Sequence, residues 1–203
     1  MLMVDLANRE LNKKHEPGIT SPIVTKKKMK DLSLHILDIA HNSIRAKASQ
    51  IHISVNRDTL SEVLSIVIKD NGCGMTPEQL AQVTDSFYTS RTTRKVGLGI
   101  PLLKQKAEDC EGDLNIISTV GIGTDVIVSF KNNHIDLPEL GDIASVISGL
   151  CCSAPQTRFI FHYKDKDTNY TFDTQEVLEA LDGIPINTPE VELFIREMIS
   201  GQL

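Results

Sequence analysis

The chain has 203 residues, 40% of them hydrophobic and 24% charged, with a formal net charge of −6. That length supports one good core with a small second unit, the composition is that of a globular protein in water, and the acidic balance excludes a nucleic-acid face built on bulk positive charge. No run reaches the roughly 18 apolar residues of a membrane span, and no apolar segment follows the N-terminal charges as it would in a signal peptide, so a cytoplasmic protein with no membrane and no nucleic-acid partner is expected. The four cysteines (Cys73, Cys110, Cys151, Cys152) lack metal-ligand spacing, and the adjacent pair cannot close an ordinary disulfide loop, so free thiols are expected.

Residues 1–30 are polar, carry Pro17-Gly18 and Pro22, and end in Lys26, Lys27, Lys28 and Lys30; they read as a flexible or partner-ordered arm. From 31 to about 48 the pattern turns helical, with Leu32, Ile36, Leu37, Ala40 and Ile44 on one face. Strands are expected over 50–55 and 64–69, joined by the polar connection Asn56-Arg57-Asp58, and Thr76-Pro77-Glu78 opens a short helix with threonine as cap and proline in the first turn. The segment 85–99 has no sustained period and carries Arg91, Arg94 and Lys95, so it reads as a mobile loop. A helix over 100–110 and a hairpin of 113–119 with 125–130 follow. A composition shift near 132–138 marks a boundary, beyond which come a helix near 140–150, strands at 157–163 and 169–172, and helices near 174–181 and 189–200. The expected organisation is an arm over 1–30, a first domain over 31–134 and a small α+β unit over 135–203.

Three glycine pairs and one helix face carry the chemistry. The strand over 64–69 runs into Asp70-Asn71-Gly72-Cys73-Gly74-Met75. Such a strand delivers a carboxylate to a fixed place, while the glycines let a flat ligand approach without meeting a Cβ; the carboxylate can then accept from an exocyclic amine such as adenine's. The same letters also spell an ordinary turn. On the first helix Asp38, Asn42 and Arg45 fall at i, i+4 and i+7, presenting a carboxylate, an amide and a guanidinium in a row. An amide oxygen suits Mg²⁺, an arginine can neutralise phosphate, and a carboxylate can orient or deprotonate water; a solvated helix face would look alike. Val96-Gly97-Leu98-Gly99 meets the start of a helix, where backbone amides favour anions, and Gly121-Ile122-Gly123-Thr124 closes the hairpin. Either glycine pair alone is compatible with a plain turn, and the Gly-x-x-x-x-Gly-Lys phosphate loop is absent from the sequence.

Taken together and in this order, Asp38-x-x-x-Asn42, Asp70-x-Gly72-x-Gly74, the basic loop ending in Gly97-Leu98-Gly99, and Gly121-x-Gly123-Thr124 resemble the GHKL ATPase superfamily of gyrase, the large heat-shock chaperone, histidine kinases and mismatch-repair ATPases. The resemblance covers roughly residues 31–131. It implies an α+β fold, the two-layer α/β sandwich of GHKL (Bergerat) type with a mixed sheet backed by helices, and ATP with Mg²⁺ as cofactors. Carried over, it implies that Asn42 binds Mg²⁺, that Asp70 takes the adenine amine, that Gly74 lines the base, with Gly72 and Met75 among the nucleotide-binding residues, and that Thr124 helps hold the base through water. It implies phosphate contacts at Gly97, Leu98 and Gly99. Phe87, in Phe87-Tyr88-Thr89-Ser90, looks like the phenylalanine box before the lid of histidine kinases, Arg45 stands where those kinases often carry a basic phosphate contact, and Arg45, Arg91, Arg94 and Lys95 are the available cations.

Two departures narrow the reading. Asp38 stands where hydrolytic members and anti-sigma serine kinases carry a glutamate and typical histidine kinases an asparagine, so it is the candidate catalytic carboxylate with a reach shorter by one methylene. The roughly thirty residues before the first helix are also too few for a phosphoacceptor hairpin, and His35 and His41 lie inside the nucleotide helix itself. Three readings follow: a protein kinase acting on an unidentified protein partner, a regulatory ATPase in signalling, and a nucleotide-gated interaction module without turnover. Homodimerisation is common in the superfamily.

Overall fold

The structure is a computed structural model and describes residues 31–84 and 99–203. The arm expected over 1–30 and most of the expected loop, with Phe87, Arg91, Arg94, Lys95, Gly97 and Leu98, lie outside the described residues.

Helix α1 (Leu32–Arg45) begins at Asp31, whose carboxylate accepts from the Leu34 N–H at 3.1 Å and the Ser33 hydroxyl at 2.7 Å. It buries Leu32, Ile36, Ile39 and Ala40, while Leu37, expected in the stripe, is only partly buried. After α1 the Lys47 backbone turns left-handed (φ 60°), and the Ala48 N–H reaches back to the Ser43 carbonyl at 3.1 Å, a Schellman closure that releases the chain into the sheet.

The sheet has six strands: β1 (Gln50–Asp58), β2 (Val63–Asp70), β3 (Asp113–Thr119), β4 (Gly123–Lys131), β5 (Arg158–Asp165) and β6 (Thr168–Asp173). They are ordered β3-β4-β2-β1-β5-β6, antiparallel throughout except for the parallel β1–β5 pair. Alternation puts one side chain in two on the helix-covered face. Paired registers line these up as rows across the sheet: Ile116, Val126, Ile68, Ile53, Phe161 and Phe172 form one apolar row, all of it buried.

Helices α2 (Pro77–Thr84), α3 (Gly99–Asp109), α4 (Ile143–Ser153), α5 (Thr174–Ala180) and α6 (Pro189–Ser200) complete the described elements. Thr76 caps α2 in a reciprocal box: its hydroxyl accepts from the Gln79 N–H at 3.3 Å and the Gln79 side chain accepts from the Thr76 N–H at 2.9 Å. Helix α4 packs against both α1 and α6 and buries Ile143, Ile147, Leu150 and Cys151. Cys151 is a buried helix residue whose thiol burial pushes up in pKa, and the neighbouring Cys152 Sγ donates to the Ile186 carbonyl at 3.3 Å.

Two expectations change. Asn56, Arg57 and Asp58 are strand rather than connection, because β2 pairs with all three and β5 with Asn56 and Arg57, taking up backbone groups that would otherwise be left to a loop. The segment after 135 has the expected α+β content, but its strands extend the same sheet, and Phe159, Phe161 and Phe172 belong to the common core. The polar stretch near 132–138 is a surface connection whose continuation caps α1: the Leu32 N–H donates to the Glu139 carbonyl at 3.0 Å and the Ser33 N–H to the Leu140 carbonyl at 2.8 Å. A chain ended at residue 134 would bare one edge of β1 and uncap α1. It is expected to lose the cooperative thermal transition of the full chain, followed by circular dichroism; a fragment melting cooperatively at the full-length midpoint would contradict one shared core.

Candidate functional site

The apolar rows of the sheet end in a polar one. In register, Ser118 pairs with Thr124, Thr124 with Asp70, and Asp70 with Ile51, so three polar side chains follow the last apolar row on the helix-covered face. Asp70 Oδ2 accepts from the Ser43 hydroxyl at 2.6 Å and Oδ1 from the Gly72 N–H at 2.8 Å. An ionised carboxylate has about four acceptor positions, so each oxygen keeps capacity for a further donor. Ser118 Oγ accepts from the Met75 N–H at 2.9 Å and lies 2.8 Å from Thr124 Oγ1. The row is thereby tied to the loop that follows β2.

That loop is clamped. Asn71 Oδ1 accepts from the Ser49 and Gln50 N–H groups, both at 2.9 Å, and the Cys73 N–H donates to the Ala46 carbonyl at 2.9 Å, which docks the end of α1 onto the Asp-Asn-Gly turn. The turn reading holds: Asn71 does the turn's structural work and leaves Asp70 facing the helices. Gly74 sits at φ 64°, and a Cβ on it would lie 2.0 Å from the Thr119 carbonyl oxygen. No side chain fits between this loop and the β3–β4 hairpin, whose Gly121 N–H donates to the Cys73 carbonyl at 2.8 Å.

On α1, Asp38 packs onto the first residue of α3: a Cβ on Gly99 would lie 1.8 Å from Asp38 Oδ2. The second glycine pair is thus represented among the described residues by a backbone that a carboxylate touches directly. One turn on, Asn42 Oδ1 accepts from Arg45 Nη1 at 2.7 Å. Asn42 offers a single hard oxygen, which fits a cation that takes few protein ligands and fills its octahedron with water and phosphate.

The structure therefore brings Asp38, Asn42 and Arg45 together with Gly99 along α1 and the start of α3, and Asp70, Gly72, Gly74, Met75 and Thr124 around the end of β2. Ser43, between the two groups, joins them. Sequence reasoning missed it, although a signal existed: Ser43 falls at i+7 from Ile36 and i+3 from Ala40, on the buried stripe, where a hydroxyl needs a partner.

His35 lies beneath Asp38, 4% exposed, with Nδ1 lacking a hydrogen-bond partner. Burial pushes its pKa below the ordinary 6.5; the Asp38 carboxylate, a hydrogen bond with the Gly99 backbone and Asp31 oppose the shift, and Lys106 adds to it.

The family model for the histidine kinase-, DNA gyrase B-, and HSP90-like ATPases matches residues 28–134 of this chain. The chain belongs to that family. Among curated relatives, a protein described as "Probable C4-dicarboxylate sensor kinase" of Bacillus subtilis is 30% identical over 88 residues, 43% of this chain and 16% of that one. The phosphate regulon sensor protein PhoR of Haemophilus influenzae is 28% identical over 89 residues, 41% of this chain and 21% of that protein. This chain thus matches only a fifth or so of each relative's own length. A crystal structure of the N-terminal domain of a DNA repair protein is similar with a TM-score of 0.50 at 20% identity, covering 70% of this chain and 51% of that chain, a likeness of fold over the covered part. Among the described residues no helix is long and apolar enough to cross a membrane.

The lowered His35 pKa has a consequence for stability. Between the folded value and 6.5 the unfolded chain binds more protons, so the ring's contribution is complete above 6.5 and is lost as pH falls through the folded value. Acidifying from about pH 7 to about pH 5 is expected to lower the thermal midpoint more in wild type than in His35→Leu. Parallel slopes for the two proteins would contradict the neutral buried imidazole.

Proposed function

We propose that this GHKL ATPase-family chain binds Mg-ATP between α1, the end of β2 and the start of α3, and acts in signalling as a regulatory ATPase or ATP-dependent protein kinase in the cytoplasm. The observation that carries the reading is the Asp70 carboxylate, locked by Ser43 and Gly72 yet keeping free acceptor capacity, opposite Thr124. Asp70 takes the exocyclic amine of adenine, and Gly72, Gly74, Met75 and Thr124 lie along the base. Asn42 holds the cation, which when bound neutralises phosphate charge; Gly99, with Gly97 and Leu98 from the sequence reading, meets the phosphates. Phe87 and Arg94 keep their sequence-based assignment to the region before and within the lid.

Phosphoryl transfer depends mainly on positioning and charge neutralisation. Asp38 packs onto the first residue of α3, beside the helix amides proposed to meet the phosphates, and from that position its carboxylate is the group proposed to accept the proton of a water or of a partner's hydroxyl as that oxygen attacks. A water acceptor makes the chain an ATPase, a partner hydroxyl makes it a kinase. The contact with Gly99 also supports a second reading: a carboxylate one methylene short and resting on backbone can leave the chain a nucleotide-gated module that a partner protein, or a second copy, reads without turnover.

One experiment separates these. Binding and ADP release are measured side by side for wild type, Asp70→Asn and Asp38→Asn. Asp70→Asn is expected to weaken ATP binding about 30-fold or more, because an uncharged amide presents a donor where an acceptor is needed. Asp38→Asn is expected to bind like wild type and to lose at least about a hundredfold in turnover. Unchanged affinity in Asp70→Asn would remove the adenine assignment, and binding without turnover in wild type would favour the gated module.

A further inference from the structure

The oxygen assigned to the cation is already engaged. Arg45 Nη1 donates to Asn42 Oδ1 at 2.7 Å, and because a guanidinium has donors only, the Asn42 atom facing it must be the carbonyl oxygen. We propose that Arg45 is the exchange partner of the divalent cation: it holds the Asn42 oxygen when no metal is bound, must leave when the metal arrives, and then supplies its charge to the phosphates. The inference rests on the Mg-ATP reading above and concerns how that site couples the two ligands.

Three features support the exchange. Asn42 and Arg45 sit at i and i+3 in the last turns of α1, so the contact needs no movement of the backbone. Arg45 is exposed, and among the described residues no carboxylate lies within ion-pair distance of it. A hydrated divalent cation and a guanidinium that call on the same amide oxygen carry like charge and repel at contact distance, even with solvent screening between them. Binding of the two at Asn42 is therefore competitive, whereas their actions on phosphate are alike.

Competition at one end and equivalence at the other produce a signature that a simple phosphate contact does not. Without metal, Arg45 is the main neutralising charge on α1 and supports ATP binding. With metal, the arginine first has to be displaced, which raises the cation concentration needed. Removing the guanidinium while keeping an apolar stem of similar length, as in Arg45→Met, weakens metal-free nucleotide binding and at the same time tightens the cation.

The test is calorimetric binding of the imido-bridged, non-hydrolysable ATP analogue to the full chain, in EDTA and across a Mg²⁺ titration, for wild type, Arg45→Met and Arg45→Lys. In Arg45→Met the expected result is a three- to tenfold or so weaker affinity in EDTA, together with a half-saturating Mg²⁺ concentration lower by about the same factor. Arg45→Lys, which keeps the charge and one donor, is expected to lie between the two. A half-saturating Mg²⁺ concentration that stays the same or rises in Arg45→Met overturns the exchange, whether or not nucleotide affinity drops. Wild type that fails to bind the analogue, or binds it without any effect of Mg²⁺, instead overturns the Mg-ATP reading, so the two failures are told apart. Equal thermal midpoints for the three proteins exclude misfolding of an exposed-site variant as the cause.

Discussion

The 2.6 Å hydrogen bond from Ser43 to Asp70 is where the helix layer and the sheet are tied together at the polar end of the core. A hydroxyl on the buried stripe of α1 requires a partner, and a carboxylate at the end of a buried row requires donors; each supplies what the other lacks, at a net worth of about 1.5–3 kcal/mol for a bond to a charged group. With Asp70 held on one oxygen by Ser43 and on the other by Gly72, the carboxylate cannot rotate away from the space between the layers. The neighbouring clamps follow from that anchor: Cys73 on Ala46, Asn71 on the start of β1, and the β3–β4 hairpin on Gly74.

The rigidity of this corner draws on strands far away in sequence. β1 is interior because β5 pairs with it in parallel, and the row through Ile53 runs on into Phe161 and Phe172. A strand flanked on both sides cannot fray, and β1 starts next to Asn71. The C-terminal segment thus steadies the floor of the candidate site without lining it, while the connection before α4 fixes the other end of α1 through the Glu139 and Leu140 carbonyls. The same helix is therefore held at both ends, which sets the positions of Asp38 and Asn42 between them.

Much of this was legible in the chain. The strand end at Asp70, the turn through Gly74 and the Thr76-Pro77 cap are local features whose conformations are dictated by residues close by, and the structure has each of these backbone features where the sequence puts it. What failed to show was non-local. Residues 56–58 read as a connection because their side chains are polar, and only the pairing with β2 and β5 makes them strand. The tail read as a separate unit because a parallel pairing between β1 and β5, more than a hundred residues apart, leaves no trace in composition. Ser43 was passed over because a serine inside a helix carries no signal until its face is known, and its partner Asp70 lies 27 residues away.

The central claim is that the fixed carboxylate of Asp70 reads the amine of adenine. The most direct measurement alters the ligand and leaves the protein untouched: affinity for ATP against purine ribonucleoside triphosphate, which lacks only the 6-amino group. Removal of the donor leaves one acceptor position of the desolvated carboxylate unfilled beside its bonds from Ser43 and Gly72, and ATP is expected to bind about 10- to 100-fold more tightly. Equal affinities for the two nucleotides would contradict the account, since a base held without its amine is not held by Asp70.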